Sequence, residues 1–153
     1  MHSSNMATED HSAAEKTTES TRVLVVDDDV ETTDLLKVIL KPHAFDVITT
    51  NSGQEGIDLA RSTSPDVMIV DLLMPEVDGL KVCNEVRQFS NVPILVLSAV
   101  SKPGIVAQAL DEGADDYLTK PMKSSVLVAH LNRLARRARA ELEASRGNGK
   151  YRV

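Results

Sequence analysis

From position 22 onward the chain alternates between two kinds of segment. Short runs rich in β-branched and aliphatic residues, VLVV (23–26), FDVITT (45–50), VMIV (67–70), VPILVL (92–97) and YLT (117–119), are separated by stretches with helical spacing. Three of the runs are continuously apolar, as expected of strands covered on both faces in a parallel sheet. Between them Leu35, Leu36, Ile39 and Leu40 share one helix face. The same holds for Gly56, Leu59 and Ala60, for Val82, Cys83, Val86 and Phe89, and for Val106, Ala109 and Leu110. Asn51 or Ser52 can cap the second helix and Asp78 the third, while Pro42 and Gly113 fall just past the first and fourth. A fifth helix is expected from about Met122 to Ala144. A β-α order repeated five times predicts an α/β fold: a doubly wound parallel sheet with right-handed crossovers and helices on both faces.

The ends differ from this pattern. Residues 1–21, rich in Ser, Thr, Ala and Glu, carry too little apolar surface to order themselves and are expected to be a disordered tail. Residues 22–138 form the expected domain, and 139–153 a C-terminal helix extension and tail or the start of a linker. A chain of 153 residues has room for one domain with a proper core. The formal charge of −6 and an aromatic content of 3% with no Trp argue against a general affinity for nucleic acid or stacking on exposed bases. The lone cysteine, Cys83, excludes an internal disulfide and a multi-cysteine metal site, and its place on an apolar helix face makes it a core residue. No apolar stretch approaches the roughly 20 residues that span a bilayer, and the first segment lacks the apolar core of a secretory signal, so a cytoplasmic location is expected.

The chemistry gathers at the strand ends. The first strand ends in Asp27 and Asp28, the third in Asp71, the fourth in Ser98 and the fifth in Lys120. In open parallel sheets, ligands bind outside the carboxyl ends of the strands, where the strand order reverses. A strand interior tolerates no unpaired carboxylate, so Asp71 is either the cap of the following turn or a working group. Three carboxylates in one crevice repel each other and titrate as a coupled set. A hard divalent cation offsets them, and a few carboxylates with waters and a substrate phosphate are the usual surroundings of Mg²⁺. With that cation, Asp71 is a candidate nucleophile toward a phosphoryl group, giving an aspartyl phosphate. The Ser98 hydroxyl and the Lys120 ammonium can each take one phosphoryl oxygen.

Residues 22 to about 138 resemble the receiver domain of two-component response regulators in VLVVDDD (23–29), DLLMPEVDG (71–79), LVLSA (95–99) and GADDYLTKP (113–121). The resemblance implies a flavodoxin-like (βα)5 fold with strand order 2-1-3-4-5. It also implies a phosphoprotein that takes its phosphoryl group on Asp71 from a sensor histidine kinase or a phosphotransfer protein. Asp28, Asp71 and the backbone carbonyl of Leu73 would bind Mg²⁺ directly, and Asp27 would hold its waters. Ser98 and Lys120 would contact the phosphoryl group, and Lys120–Pro121 would be a cis bond. Tyr117 matches the aromatic residue that swings inward as Ser98 is drawn to the phosphoryl group, switching the face of helix four, strand five and helix five.

Leu73 and Val100, two residues after Asp71 and Ser98, are apolar where polar side chains can orient the hydrolytic water, so slow autodephosphorylation is expected. On this resemblance Val106, Val126 and His130 stand where Arg or Lys, Glu and Arg are usual on a charged dimer face, with His130 in place of the customary basic partner of Asp115 and Asp116 on the fifth helix. An apolar patch of Ile105, Val106, Val126 and Ala129 remains for a homodimer or an effector. Arg137 is expected to pair with Glu141 along the fifth helix. The chain is read as a stand-alone regulator or the N-terminal part of a longer one. A DNA-binding regulator lacking its output domain is an alternative, although direct nucleic-acid contact is not expected. An aspartyl-phosphate phosphatase is the other alternative, but enzymes of the haloacid dehalogenase type want a second Asp where Leu73 stands.

Overall fold

The structure is a computed structural model that describes residues 20–151, with side chains through Arg146. The expected tail lies outside the described residues apart from its last two positions, and Thr21 already belongs to the first strand. The strands are β1 (Thr21–Val26), β2 (Phe45–Thr50), β3 (Val67–Val70), β4 (Ile94–Ser98) and β5 (Asp116–Thr119). They alternate with α1 (Val30–Leu40), α2 (Gly53–Thr63), α3 (Gly79–Arg87), α4 (Pro103–Asp111) and α5 (Ser124–Tyr151). The sheet is parallel throughout, in the order β2-β1-β3-β4-β5, which is the flavodoxin-like arrangement. The chain winds outward from β1 to β2 and then crosses to β3 on the other side of β1. The strand order therefore reverses between β1 and β3.

Successive strand residues point to opposite faces, and each face has its own core. Leu24, Val26, Met68, Val70, Ile94 and Val96 pack with Ile57 and Ala60 of α2, Val82, Cys83 and Val86 of α3 and Ala109 of α4. Val23, Val25, Val67, Ile69, Leu95 and Leu97 pack with Leu36 and Leu40 of α1 and Leu127, Leu131 and Leu134 of α5. Both sides of the central strands are therefore dry, which explains why their sequences are apolar without alternation. Cys83 is fully buried, and burial pushes its thiol up to about 12.

Helix ends follow the local chemistry. Ser52 caps α2 by accepting from the Glu55 amide, and Asp78 caps α3 by accepting from the Lys81 amide at 2.9 Å. Asp29 caps α1. Pro42 sits in a single 3-10 turn (Lys41–His43) just past α1, and Gly113 past α4 adopts a φ of +120°. Beyond α4, a side chain at Gly113 would strike Arg87.

Two expected faces are narrower than the spacing suggested. Leu35 is 58% exposed and Leu110 44% exposed, so α1 buries only Thr33, Leu36 and Leu40 and α4 only Ala109. A helix laid on a twisted sheet touches it along one line, and residues at the edge of an apolar arc stay in water. α5 starts at Ser124 and runs past the expected Ala144. Leu36→Ala is expected to cost about 2–5 kcal/mol in urea unfolding, as for buried leucines elsewhere. Leu35→Ala, one residue earlier on the same predicted face, should stay within about 0.5 kcal/mol, as exposed substitutions do.

Candidate functional site

The reversal between β1 and β3 places the end of one strand beside the end of the other. Asp27, Asp28 and Asp71 each offer a carboxylate oxygen there, and these three atoms lie within 4.8 Å of one another. Asp27 and Asp71 are buried and Asp28 is exposed. Asp71 is fixed from both sides: its amide donates to the Val26 carbonyl at 3.0 Å, joining β3 to β1 past the last strand residue. Behind it, Gly79 packs so closely that an added Cβ would lie 2.2 Å from the Asp71 carbonyl oxygen. The Gly79 amide also donates to the Leu72 carbonyl at 3.1 Å, closing the β3–α3 turn. Gly79 thus admits the backbone of the phosphoacceptor candidate to the start of α3.

Lys120 reaches this cluster from the end of β5. Its ammonium lies 2.8 Å from Asp27 Oδ2 and 3.7 Å from Asp71 Oδ2. Burial alone would lower the Lys120 pKa, but the hydrogen bond and charge of Asp27, followed by Asp71, outweigh it and raise the value. Asp27 Oδ1 accepts from the Asp29 amide at 3.0 Å, so both of its oxygens are engaged within the protein. The Lys120–Pro121 peptide bond is cis.

Asp71 differs from Asp27. Desolvation and then the charge of Asp27 raise its pKa, while Lys120, the Leu73 amide and the Ser98 hydroxyl pull it down without restoring the ordinary value. The Leu73 side chain is 61% exposed. Ser98 is fully buried, and its hydroxyl accepts from the Val100 amide at 3.3 Å. Tyr117 lies on the same side of the sheet, donates from its hydroxyl to the Val100 carbonyl and also meets Ser98. Asp71, Ser98 and Tyr117 therefore form one connected series leading to the β4–α4 loop.

Three carboxylates and one ammonium leave an excess of negative charge at a partly open rim. Oxygen donors of this kind, few in number and with room beside them, fit a hard divalent cation such as Mg²⁺.

The residue pattern matches the response regulator receiver domain over positions 23–132. The chain belongs to this family. It is 37% identical over 116 residues to the DNA-binding response regulator MtrA of Mycolicibacterium paratuberculosis, covering 76% of this chain and 52% of that protein. It is 39% identical over 123 residues to the response regulator MprA of Mycobacterium bovis, covering 80% and 54%. The receiver domain thus spans about half the length of these curated relatives. Among solved structures, the Francisella response regulator 1452 receiver domain superposes with a TM-score of 0.74 at 32% identity, covering 77% of this chain and 98% of that one. The Vibrio cholerae chemotaxis protein CheY4 gives 0.71 at 29%, covering 75% and 98%.

The receiver domain brings Asp27, Asp28, Asp71, Ser98, Tyr117 and Lys120 to one rim. One expectation about charge is corrected, and Asp115 and Asp116 find basic partners besides His130 within the chain. Asp116 meets His130 and Arg133, and Asp115 meets Arg87 and Arg137 at 2.7 and 2.9 Å. Arg137 therefore points to Asp115, just before β5, and not to Glu141 on its own helix. The spacing signal was present in sequence, since Arg133 and Arg137 lie one turn apart on the face that carries His130. Asn51, expected as a possible cap of α2, instead donates to the Asp27 carbonyl.

Because the native domain holds the Asp71 proton more tightly than the unfolded chain does, stability from this group is fully present below the ordinary value of 3.8. That stability is lost as pH rises through the native pKa. Ionised Asp71 therefore weakens the domain at neutral pH. Asp71→Asn should raise the urea midpoint at pH 7 in EDTA, and the advantage should shrink as the pH is lowered toward 4.

Proposed function

We propose that this receiver domain is a phosphorylation switch in which Asp71 accepts the phosphoryl group of a sensor histidine kinase or phosphotransfer protein. The observation that carries this reading is the placement of Asp71 with two further carboxylates and the Lys120 ammonium at the strand-order reversal. A carboxylate oxygen of Asp71 forms the new O–P bond as the donor's P–N bond breaks, and the departing imidazole keeps the electron pair and takes up a proton. Asp27, Asp28 and Asp71, with the backbone carbonyl of Leu73, are the residues that would hold Mg²⁺, whose charge would offset that of the phosphoryl oxygens. Lys120 is placed to bind one of those oxygens, and the Ser98 hydroxyl to donate to another. The exposed aliphatic side chains of Val30 and Leu73, two residues after Asp28 and Asp71 respectively and 56% and 61% exposed, suit an apolar contact with the donor protein at the same rim.

A phosphoryl group adds nearly two negative charges beside Lys120. The series from Asp71 through Ser98 to Tyr117 and the β4–α4 loop supports transmission toward α4, β5 and α5. Moving a two-state equilibrium from 1:99 to 99:1 takes about 5.5 kcal/mol of differential binding. A charge-assisted contact to Lys120, a hydrogen bond from Ser98 and burial of Tyr117 are of the kind that add up to it. Ile105, Val106, Val126 and Ala129 offer the responding surface, for a second copy or an effector. The relatives MtrA and MprA are named as response regulators, the former as DNA-binding. Here Arg133 and Arg137 are committed to Asp116 and Asp115, so α5 has less charge to offer DNA phosphates directly. No helix among the described residues is long and apolar enough to cross a membrane. We place the protein in the cytoplasm with its kinase. Leu73 stands where a phosphatase of this mechanism needs an acid, so turnover of external phosphoesters is not part of the reading.

With Mg²⁺ and either a phosphorylated histidine kinase or acetyl phosphate, the wild type should take up one phosphoryl group per chain. Asp71→Asn should take up none, and EDTA should suppress uptake; equal labelling of the variant would refute the assignment. Replacing Leu73 and Val100 with Glu and Arg should speed decay of the phosphorylated protein by about tenfold, a small share of what positioned acid–base groups can supply. Equal decay rates would remove the account of slow autodephosphorylation.

A further inference from the structure

Asn51 stands outside the acidic cluster but is tied to it. Its side-chain amide donates to the backbone carbonyl of Asp27 at 2.8 Å and to the Thr33 hydroxyl at 3.1 Å. A carbonyl oxygen only accepts, so the nitrogen of the amide must face it. The Asp27 amide, in turn, donates to the Thr50 carbonyl at 3.1 Å. Both polar groups of the Asp27 backbone are thus held by two consecutive residues at the end of β2.

The Asp27 carbonyl belongs to the peptide that joins Asp27 to Asp28. Its direction therefore decides where Asp28 projects. Asp28 is exposed and makes no ion pair among the described residues, while the carboxylates of Asp27 and Asp71 repel it. Only the backbone keeps it close to them. Thr33, the second anchor, is 2% exposed, and its hydroxyl donates to the Val30 carbonyl at 3.0 Å, so Asn51 braces the loop against a fixed point in the first turn of α1.

We propose that Asn51 is a positioning residue for the divalent-cation site: by holding the Asp27–Asp28 peptide, it keeps the Asp28 carboxylate in range of the other two. This rests on the reading of the three acids as a cation site. Without the amide, the Asp27 carbonyl loses its partner, the peptide is free to rotate, and mutual repulsion carries Asp28 outward. The cost falls on cation affinity and not on the reactivity of Asp71.

The test uses the full chain and Mg²⁺ alone, read by the backbone amide NMR shifts of Asp28 and Leu73. A parallel assay follows acetyl phosphate-driven phosphorylation across the same Mg²⁺ range. Asn51→Ala should raise the half-saturating Mg²⁺ concentration about tenfold in both readouts, the lower end of what outer partners of metal ligands contribute. The phosphorylation rate should be recovered at saturating Mg²⁺. Thr33→Val should shift the midpoint the same way by less, and keeps the test open if Asn51→Ala does not fold. Asn51→Asp separates charge from position: an added negative charge alone would tighten binding, whereas a carboxylate cannot donate to the Asp27 carbonyl and binding should weaken. Wild-type midpoints in both Asn51→Ala and Thr33→Val, or tighter binding in Asn51→Asp, would overturn the proposal. A wild type with no saturable response to Mg²⁺ would instead overturn the cation site itself.

Discussion

Three carboxylates are crowded against one ammonium, and the rest of the domain is arranged to keep them there. Lys120 bridges 93 positions of sequence to reach Asp27 at 2.8 Å, and it joins the end of β5 to the end of β1. Left to themselves, Asp27, Asp28 and Asp71 would separate. They remain within 4.8 Å because β1 and β3 are adjacent parallel strands whose apolar residues bind both faces of the sheet to helices. The free energy that assembles the site therefore comes from the core, and the site itself draws on it. The raised pKa of Asp71 is the electrostatic sign of that arrangement.

The surroundings of the cluster show how little slack it has. Gly79 leaves no space for a side chain behind Asp71, and the Val26 carbonyl takes its amide. Asn51 and Thr50 hold Asp27 from the side of β2. Positioning and charge neutralisation are the main things phosphoryl transfer asks of a protein. On the proposed reading the rim would supply the positions and Lys120 part of the neutralisation, and an oxygen-liganded cation would fit the remainder.

Most of the fold was legible because its two periodicities differ so sharply. Continuous apolar runs such as VMIV leave no face for water, and polar residues confined to strand ends name the working edge before any contact is known. The site residues were legible for the same reason: Asp27, Asp28, Asp71, Ser98 and Lys120 each close a strand. What escaped were relations that depend on side chains crossing between elements. Leu35 carries the same apolar character as Leu36 and yet faces water, since spacing gives the direction of a face but not its width. Arg137 had an acid one turn away on its own helix and instead meets Asp115, just before β5. Asn51 looked like a cap because that is what Asn does before a helix, whereas Ser52 took that place and left its amide for the Asp27 carbonyl.

The chemical identity of the modified residue is the most direct test of the Asp71 assignment. An acyl phosphate is reduced by borohydride to an alcohol, so treating the phosphorylated protein with it turns an aspartyl phosphate into homoserine at that position. Mass spectrometry of the resulting peptides should find homoserine at residue 71 and at no other position. Homoserine at Asp27 or Asp28 in place of 71, or phosphate retained on a serine, threonine or histidine, would contradict it.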